Sequence, residues 1–192
     1  NAHFYKAECI YTTSPGLAVN DYLKVLEFSN NIFLERALIR LARIEFKREE
    51  YGAAALHYTK LKSIAQENVL IREAIINLFY CFKKIVDNDR LIEYAKEVVG
   101  LGKVDNELVN DARLIIANDN FDNSEFHLAK KDYQLISNQT QSEFGAEAKY
   151  QLAFLAFLES DYKKSEKIIF ELVENYFSDF FIAKSFILLA DI

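Results

Sequence analysis

The stretch Ala146–Asp179 reads AEAKYQLAFLAFLESDYKKSEKIIFELVENYFSD, and its apolar side chains recur at intervals of three and four residues. That spacing places the side chains on one face of a helix. A polar break at Ser160-Asp161 separates two such segments, and Asp and Ser are residues that cap the start of a helix. The stretch therefore predicts two amphipathic helices joined by a short turn.

The same pattern recurs along the chain. The first-helix rows are Ala37-x3-Leu41-Ala42, Ala74-x3-Leu78-Phe79, Ala112-x3-Ile116-Ala117, Ala148-x3-Leu152-Ala153 and Ser185-x3-Leu189-Ala190, and their large residues are 37, 38, 36 and 37 positions apart. The second-helix rows keep this register: Tyr51-x2-Ala54-x3-Tyr58-x2-Leu61, Asn88-x2-Leu91-x3-Ala95-x2-Val98, Phe126-x2-Ala129-x3-Tyr133-x2-Ile136 and Tyr162-x2-Ser165-x3-Ile169-x2-Leu172. A period of about 20–50 residues predicts a stacked array of helix pairs, each burying its apolar face against its neighbours.

These rows resemble the tetratricopeptide repeat: a Leu-small pair in the first helix, an aromatic after the turn and a small residue three positions later. The family period is about 34 residues; the longer units here are similar to variants in bacterial cell-envelope assembly and division proteins. The family's Trp is absent, and Phe177 stands where its late Pro would fall. Phe79 and Asn88 also depart from the pattern. The resemblance, over Phe4 to Ile192, implies an all-α superhelical solenoid, right-handed, of about five helix-turn-helix repeats plus an unpaired C-terminal helix.

We expect a single solenoid over residues 1–192. Because the chain ends on a first helix without its partner, we interpret it as a piece of a longer array, and Asn1-Ala2 as the remnant of an expression tag. The predicted helices are 2–13, 16–28, 31–47, 51–65, 69–85, 89–100, 106–119, 124–138, 143–158, 162–176 and 179–192. The predicted core comprises Leu41, Ala42, Tyr51, Ala54, Tyr58, Leu78, Ala95, Ile116, Ala117, Ala129, Tyr133, Leu152, Ala153, Tyr162, Ile169, Leu172 and Leu189.

Composition excludes some classes of function. The net charge is −6, which disfavours nucleic acid as a partner because phosphate binding requires clustered positive charge. No apolar run approaches the length of a membrane span. Cys9 and Cys81 lie in first helices two units apart, beyond disulfide reach, so we expect two reduced thiols.

Motifs of catalysis are missing from the sequence. The segment Gly100-Leu101-Gly102-Lys103 lacks the spacing of a phosphate-binding loop. His57 and His127 fall on second helices, on faces expected to be partly exposed, where a solvated or hydrogen-bonded histidine is the ordinary interpretation. No nucleophile has a positioned base. We therefore expect no catalytic, cofactor-binding or metal-ligating residues, and no enzyme.

A basic stripe is the first candidate binding surface. Its residues are Arg36, Arg40, Arg43 and Lys47, which share one helix face, followed by Lys83 and Lys84 at the end of the next first helix. In the family that the chain resembles, first helices line a concave groove, so the stripe could hold an acidic peptide or a free carboxylate through bidentate arginines. The alternative is a solvated face with ion pairs between units, since Glu73 occupies the position equivalent to Arg36.

An apolar cluster is the second candidate surface: Phe121, Tyr150, Phe154, Phe157 and Leu158. By register these residues point towards the groove, where aromatic side chains would anchor a partner segment. The alternative is that they pack on the adjacent first helix. The two surfaces together suggest a groove that is basic near its N-terminal end and apolar near its C-terminal end.

The sequence thus favours a protein-interaction scaffold that binds a segment of another protein in its groove. Two alternatives remain open: a structural component of a bacterial cell-envelope assembly complex, and an array that self-associates end to end as a homodimer. The expected partner is a protein or peptide, with no nucleic acid and no membrane span. The compartment is left open, with the cell envelope favoured over the cytoplasm.

Overall fold

The computed structural model describes residues 2–28 and 31–192, and every regular element within these ranges is helical. Asn1, interpreted above as part of a tag, lies outside the described residues. The α-helices are α1 (Ala2–Tyr11), α2 (Val19–Leu26), α3 (Leu34–Lys47), α4 (Tyr51–Ile64), α5 (Asn68–Ile85), α6 (Asn88–Gly100), α7 (Asn106–Asp122), α8 (Phe126–Gln139), α9 (Glu143–Leu158), α10 (Tyr162–Asn175) and α11 (Asp179–Ala190). The predicted all-α class and the succession of eleven helices are confirmed in the part of the chain described.

Helix boundaries differ from the prediction mainly near the N-terminus. Pro15–Ala18 forms a 3₁₀ turn before α2, where a single helix was predicted. Helix α3 begins at Leu34 and not at residue 31, because the Asn31 side chain accepts a hydrogen bond from the Phe33 N–H at 2.9 Å. Such local side-chain bonds offer the backbone an alternative to the helix.

The turns inside the helix pairs share one geometry that the sequence pattern did not indicate. After α3, α5, α7 and α9, one residue adopts a left-handed conformation, with φ near 60°: Glu49, Val86, Ser124 and Ser160. The next N–H then bonds back to a carbonyl five residues earlier, as from Asp87 to Phe82 at 3.1 Å. This is the hydrogen bond of a Schellman motif, formed here without glycine. Each second helix then begins at the residue that follows this N–H donor.

Side-chain capping of these second helices is partial. Asp87 accepts a hydrogen bond from the Arg90 N–H, and Asp161 accepts one from the Lys164 N–H. Helices α4 and α8 follow Glu50 and Glu125, which make no side-chain cap. The cap predicted at Ser160-Asp161 is therefore confirmed, and Asp87 makes the same cap at the start of α6.

The chain divides into two compact units, Asn1–Leu101 and Gly102–Ile192. Within each unit a helix packs mainly on the next one in the chain, and first helices also contact each other, as α3 does with α5 and α7 with α9. The small residues predicted between paired helices are fully buried: Ala54, Ala95, Ala129 and Ser165. Whether the units form one continuous solenoid stays a prediction.

Most predicted core residues are buried, but Tyr162 is not. Its side chain is 45% exposed at the start of α10, where it contacts the Phe157 ring at 5.7 Å between centroids. Tyr51, Ile116 and Leu189 are only partly buried. Tyr51 and Tyr162 both open a second helix, and a residue at the end of a helix has neighbours on fewer sides than one in its middle.

Candidate functional site

The arginines of the basic stripe lie on one face of α3, as their spacing of four and three residues dictates. Arg36 and Arg40 both reach Glu8 on α1, with Arg36 Nη2 at 3.2 Å from Oε2 and Arg40 Nε at 3.1 Å from Oε1. Arg43 forms a bidentate pair with Glu73 on α5, with both N–O distances at 2.6 Å. Two carboxylates thus pair with three arginines within one unit.

Glu8 is the centre of this network. Besides the two arginines, it accepts a hydrogen bond from the Tyr22 hydroxyl at 2.5 Å. Burial raises the pKa of Glu8, but the hydrogen bonds from Tyr22 and Arg40 outweigh burial and lower that pKa below its ordinary value. The Arg40 guanidinium also lies 4.2 Å from the centroid of the Tyr11 ring, a cation–π contact.

In this arrangement, ion pairs link neighbouring helix pairs, as the alternative interpretation of the stripe describes. An acidic partner would have to share or displace the Glu8 and Glu73 carboxylates. The remaining stripe residues, Lys47, Lys83 and Lys84, are exposed in the last turns of α3 and α5. There their positive charges interact favourably with the helix dipole. Lys83 Nζ also lies 5.9 Å from the centroid of the Phe79 ring.

Four rings of the predicted apolar cluster lie together in the second unit, with Phe154 in contact with the other three, and we call them the aromatic ladder: Phe121, Phe154, Tyr150 and Phe157. Ring centroids lie 6.0 Å apart between Phe121 and Phe154, and 6.3 Å apart between Phe154 and each of Tyr150 and Phe157. The last two contacts are stacked, with interplanar angles of 5° and 13°. First helices α7 and α9 together supply the ladder.

The ladder is only partly buried. Tyr150, Phe154 and Phe157 pack on the buried core residues Ala153, Ile169 and Leu188, yet each keeps part of its surface open. Burial raises the pKa of the Tyr150 hydroxyl. The neighbouring Leu158, the fifth residue of the predicted cluster, is 49% exposed. The ladder therefore combines packing on neighbours with an accessible surface.

Two clefts lie between second helices, and the sequence did not indicate either of them. The apolar cleft of the first unit, between α4 and α6 and beside α5, has a volume of about 620 Å³ and is lined by Gly52, Ala55, Leu56, Thr59, Phe82, Ile85, Arg90, Glu93 and Tyr94. The lysine cleft of the second unit, between α8 and α10 and beside α9, has a volume of about 280 Å³ and is lined by Lys130, Gln134, Ser137, Asn138, Lys149, Leu152, Lys164 and Ile168. The sequence register alone does not bring these positions together, because it does not say which helices pack against each other.

The prediction for His57 was wrong in one respect. His57 is buried, and its Nδ1 lies 2.6 Å from Glu45 Oε2 on α3, so it is a hydrogen-bonded histidine inside the helix pair. His127 is exposed, in agreement with the prediction. Cys9 and Cys81 are free thiols, and burial raises the pKa of Cys81 to about 12. A thiol of that kind is a packing residue at neutral pH.

Within residues 2–28 and 31–192, no group of three or more His, Cys, Asp or Glu side chains is placed to hold a metal ion. No helix in the same residues is long and apolar enough to cross a membrane.

Comparison with known proteins bears on the fold. No family model matches the chain, and no curated protein matches it significantly. The solved structure of MamA, residues 41 to the end, from Desulfovibrio magneticus RS-1 matches 90% of this chain and 92% of its own, with a TM-score of 0.54 and 12% sequence identity. At that identity the likeness shows the fold alone. The chain therefore has a tetratricopeptide-like helical-repeat fold.

Proposed function

We propose that this protein is a non-enzymatic interaction scaffold, and that a segment of another protein binds along the first helices of the second unit. The aromatic ladder is the observation that carries the proposal. Phe154 contacts the other three rings across α7 and α9, and each of the four is partly open. Aromatic side chains supply much apolar contact area at low entropic cost, which suits them to anchor a partner.

The arginines of α3 are the weaker candidate. Each is already paired with Glu8 or Glu73, so an acidic segment would have to share or displace these two carboxylates. The groove that is basic at one end and apolar at the other stays a prediction, and the partner segment is expected to be apolar or aromatic.

Site-specific photo-cross-linking tests the proposal. A benzophenone side chain replaces Phe157 in the ladder or, as the matched control, Phe170 on second helix α10, which is 49% exposed. We expect a protein of the source cells to be captured from position 157 and not from position 170. Adding unlabelled wild type should compete, whereas adding F154A/F157A should not, and circular dichroism would verify that this variant folds.

Two outcomes would contradict the proposal. Equal capture from both positions would mean that the partner does not bind α9 in preference to second helix α10. Undiminished competition by F154A/F157A would mean that the rings contribute no binding. If R36E/R43E alone failed to compete, the binding surface would be the arginine stripe instead.

Self-association is the second candidate, and helix α11 favours it. Large apolar residues on α11 keep much of their surface exposed: Phe180, Phe186 and Ile187 are 60%, 52% and 67% accessible. Exposed apolar patches of this kind mark surfaces of association. Sedimentation equilibrium should then detect a dimer that the variant F186D/I187D abolishes. A wild type that stays monomeric at concentrations of tens of micromolar and above would rule this candidate out.

A further inference from the structure

The lysine cleft is lined by lysines from three different helices. Lys130 comes from α8, Lys149 from α9 and Lys164 from α10, around a volume of about 280 Å³. The amide side chains of Gln134 and Asn138 line the same space. Each of these five side chains can donate hydrogen bonds, and no carboxylate lines the cleft. Its chemistry is therefore suited to an anion.

Neighbouring carboxylates hold two of the lysines in position. Lys130 Nζ lies 2.8 and 3.0 Å from the two carboxylate oxygens of Glu159, and Lys149 Nζ lies 2.7 Å from Glu171 Oε2. An ammonium group has three N–H donors, so each lysine keeps donor capacity after these bonds. The side chains of Lys130 and Lys149 are only 27% and 18% exposed. Their heads are thus ordered before a ligand arrives, which reduces the entropic cost of binding.

Lys164 provides the excess positive charge. Among the described residues it forms no ion pair, and its contact with Asp161 is made by its backbone N–H. Glu171 also lies near Lys167, whose Nζ is 3.9 Å from Oε1, so the lysines around the cleft outnumber the two carboxylates.

The repeat does not impose this chemistry. Equivalent positions line the apolar cleft of the first unit, where Ala55 stands for Lys130, Tyr94 for Ile168 and Arg90 for Lys164. In the apolar cleft, Tyr94 stacks on Phe82 with centroids 5.3 Å apart. Of the three lysines, only Lys164 therefore has a cationic counterpart in the lining of the apolar cleft.

We propose that the lysine cleft binds a phosphate monoester group. Lysine binds phosphate as a point charge, and several lysine and amide donors around one space can share the oxygens of a single phosphate group. A phosphate monoester carries a charge of about −1.5 to −2 at neutral pH, and it has three oxygens for the spare donors. Leu152 and Ile168 complete the lining and can contact the carbon attached to the ester oxygen. The group belongs either to a small phosphorylated metabolite or to a phosphorylated side chain.

Heteronuclear NMR titration of the ¹⁵N-labelled protein tests the proposal. The probes are inorganic phosphate, O-phosphoserine and acetate, at constant ionic strength. The test variant is K130Q/K164Q. The matched control is K131Q/K163Q, which removes the same charge from adjacent, exposed positions of the same two helices. Amide dispersion reports whether each variant folds.

We expect saturable shifts in α8, α9 and α10 below about 10 mM phosphate, with acetate binding more weakly. K130Q/K164Q should bind about tenfold more weakly or worse, because two charge-assisted donors are lost, and K131Q/K163Q should bind like the wild type. O-phosphoserine should bind more tightly than inorganic phosphate, because only the ester has a carbon that Leu152 and Ile168 can contact, and the reverse order would overturn the assignment to a monoester. Equal weakening in both variants, acetate binding as tightly as phosphate, or no saturation in this range would each overturn the proposal.

Discussion

The two units assign charge and apolar surface in opposite ways. In the first unit, arginines lie along first helix α3, while the cleft between second helices is apolar and contains the stacked rings of Phe82 and Tyr94. In the second unit, rings lie along first helices α7 and α9, while the cleft contains three lysines. The same repeat thus carries opposite surfaces in its two halves.

This difference between the two units shows that the repeat constrains only the interfaces between helices. Ala54 and Ser165 occupy equivalent small positions and are both fully buried, because two helix backbones approach there. Ala55 and Lys130 occupy equivalent cleft positions and share no property. Positions outside the helix interfaces are therefore free to acquire binding functions.

The largest expected effect comes from opening equivalent cavities in the two units. Leu61 on α4 and Leu172 on α10 occupy the same repeat position and are fully buried. Leu61→Ala or Leu172→Ala should each lower the free energy of unfolding by about 2–5 kcal/mol. Because a repeat array is stabilised by nearest neighbours, hydrogen exchange should accelerate most in the unit that carries the substitution. Uniform acceleration along the whole chain would mean that the units unfold together.

A smaller effect separates two glycines. A Cβ on Gly145 of α9 would lie 2.0 Å from the Thr140 carbonyl oxygen, whereas a Cβ on Gly52 of α4 would meet nothing within 4 Å. Gly145→Ala should destabilise the second unit by about 1–3 kcal/mol, because backbone must move. Gly52→Ala should instead stabilise the first unit by about 0.5–1 kcal/mol. Urea unfolding of both variants measures the two changes in the free energy of unfolding. A Gly145→Ala variant as stable as the wild type would contradict the close approach of Gly145 to the Thr140 carbonyl.

The turns offer a third comparison. Val86 in the first unit and Ser160 in the second are both left-handed, with φ at 58° and 60°, and a β-branched residue tolerates this conformation poorly. Val86→Gly should therefore stabilise the protein by about 1 kcal/mol, and Ser160→Gly by less. Thermal unfolding would detect the difference. A loss of stability in Val86→Gly would show that its exposed side chain makes contacts that outweigh the strain.

The smallest effect concerns acid stability in the first unit. The pKa of Glu8 is lowered in the folded protein relative to its ordinary value of 4.5, so its contribution to stability is present above that value. It is lost as the pH falls from 4.5 through the folded pKa. Glu8→Gln should therefore be less stable than the wild type at pH 7, and the difference should shrink below pH 4.5. A difference that is constant with pH would mean that the charge of Glu8 contributes nothing.

The interior of the helix pairs could be predicted from the sequence because it follows from local periodicity. The Leu-small rows located α3, α5, α7 and α9, and the bounds of α9 were predicted to the residue. Tyr162 was misplaced because it obeys the same spacing, yet lies at the first turn of α10. Spacing specifies a face of a helix, but it does not specify how far along that face a neighbour extends.

The candidate sites were less predictable. The residues of the arginine stripe and of the aromatic ladder could be named, since the arginines share one face of α3 and three of the four rings share one face of α9. Their partners could not be named. Glu8 meets Arg36 and Arg40 across 28 and 32 positions of sequence, and this contact depends on how α1 packs on α3. The lysine cleft was missed altogether because its three lysines are separated by whole helices.

The sequence by itself determined the repeat, its period, the helical class and the small residues at the helix interfaces, because each is a local pattern of size and hydrophobicity. Only the tertiary structure decided which charges are paired, that His57 is buried against Glu45, and that Lys130, Lys149 and Lys164 line one cleft. The physical reason is that a side chain's burial and charge environment are set by helices distant in sequence, whose packing distances no local spacing encodes.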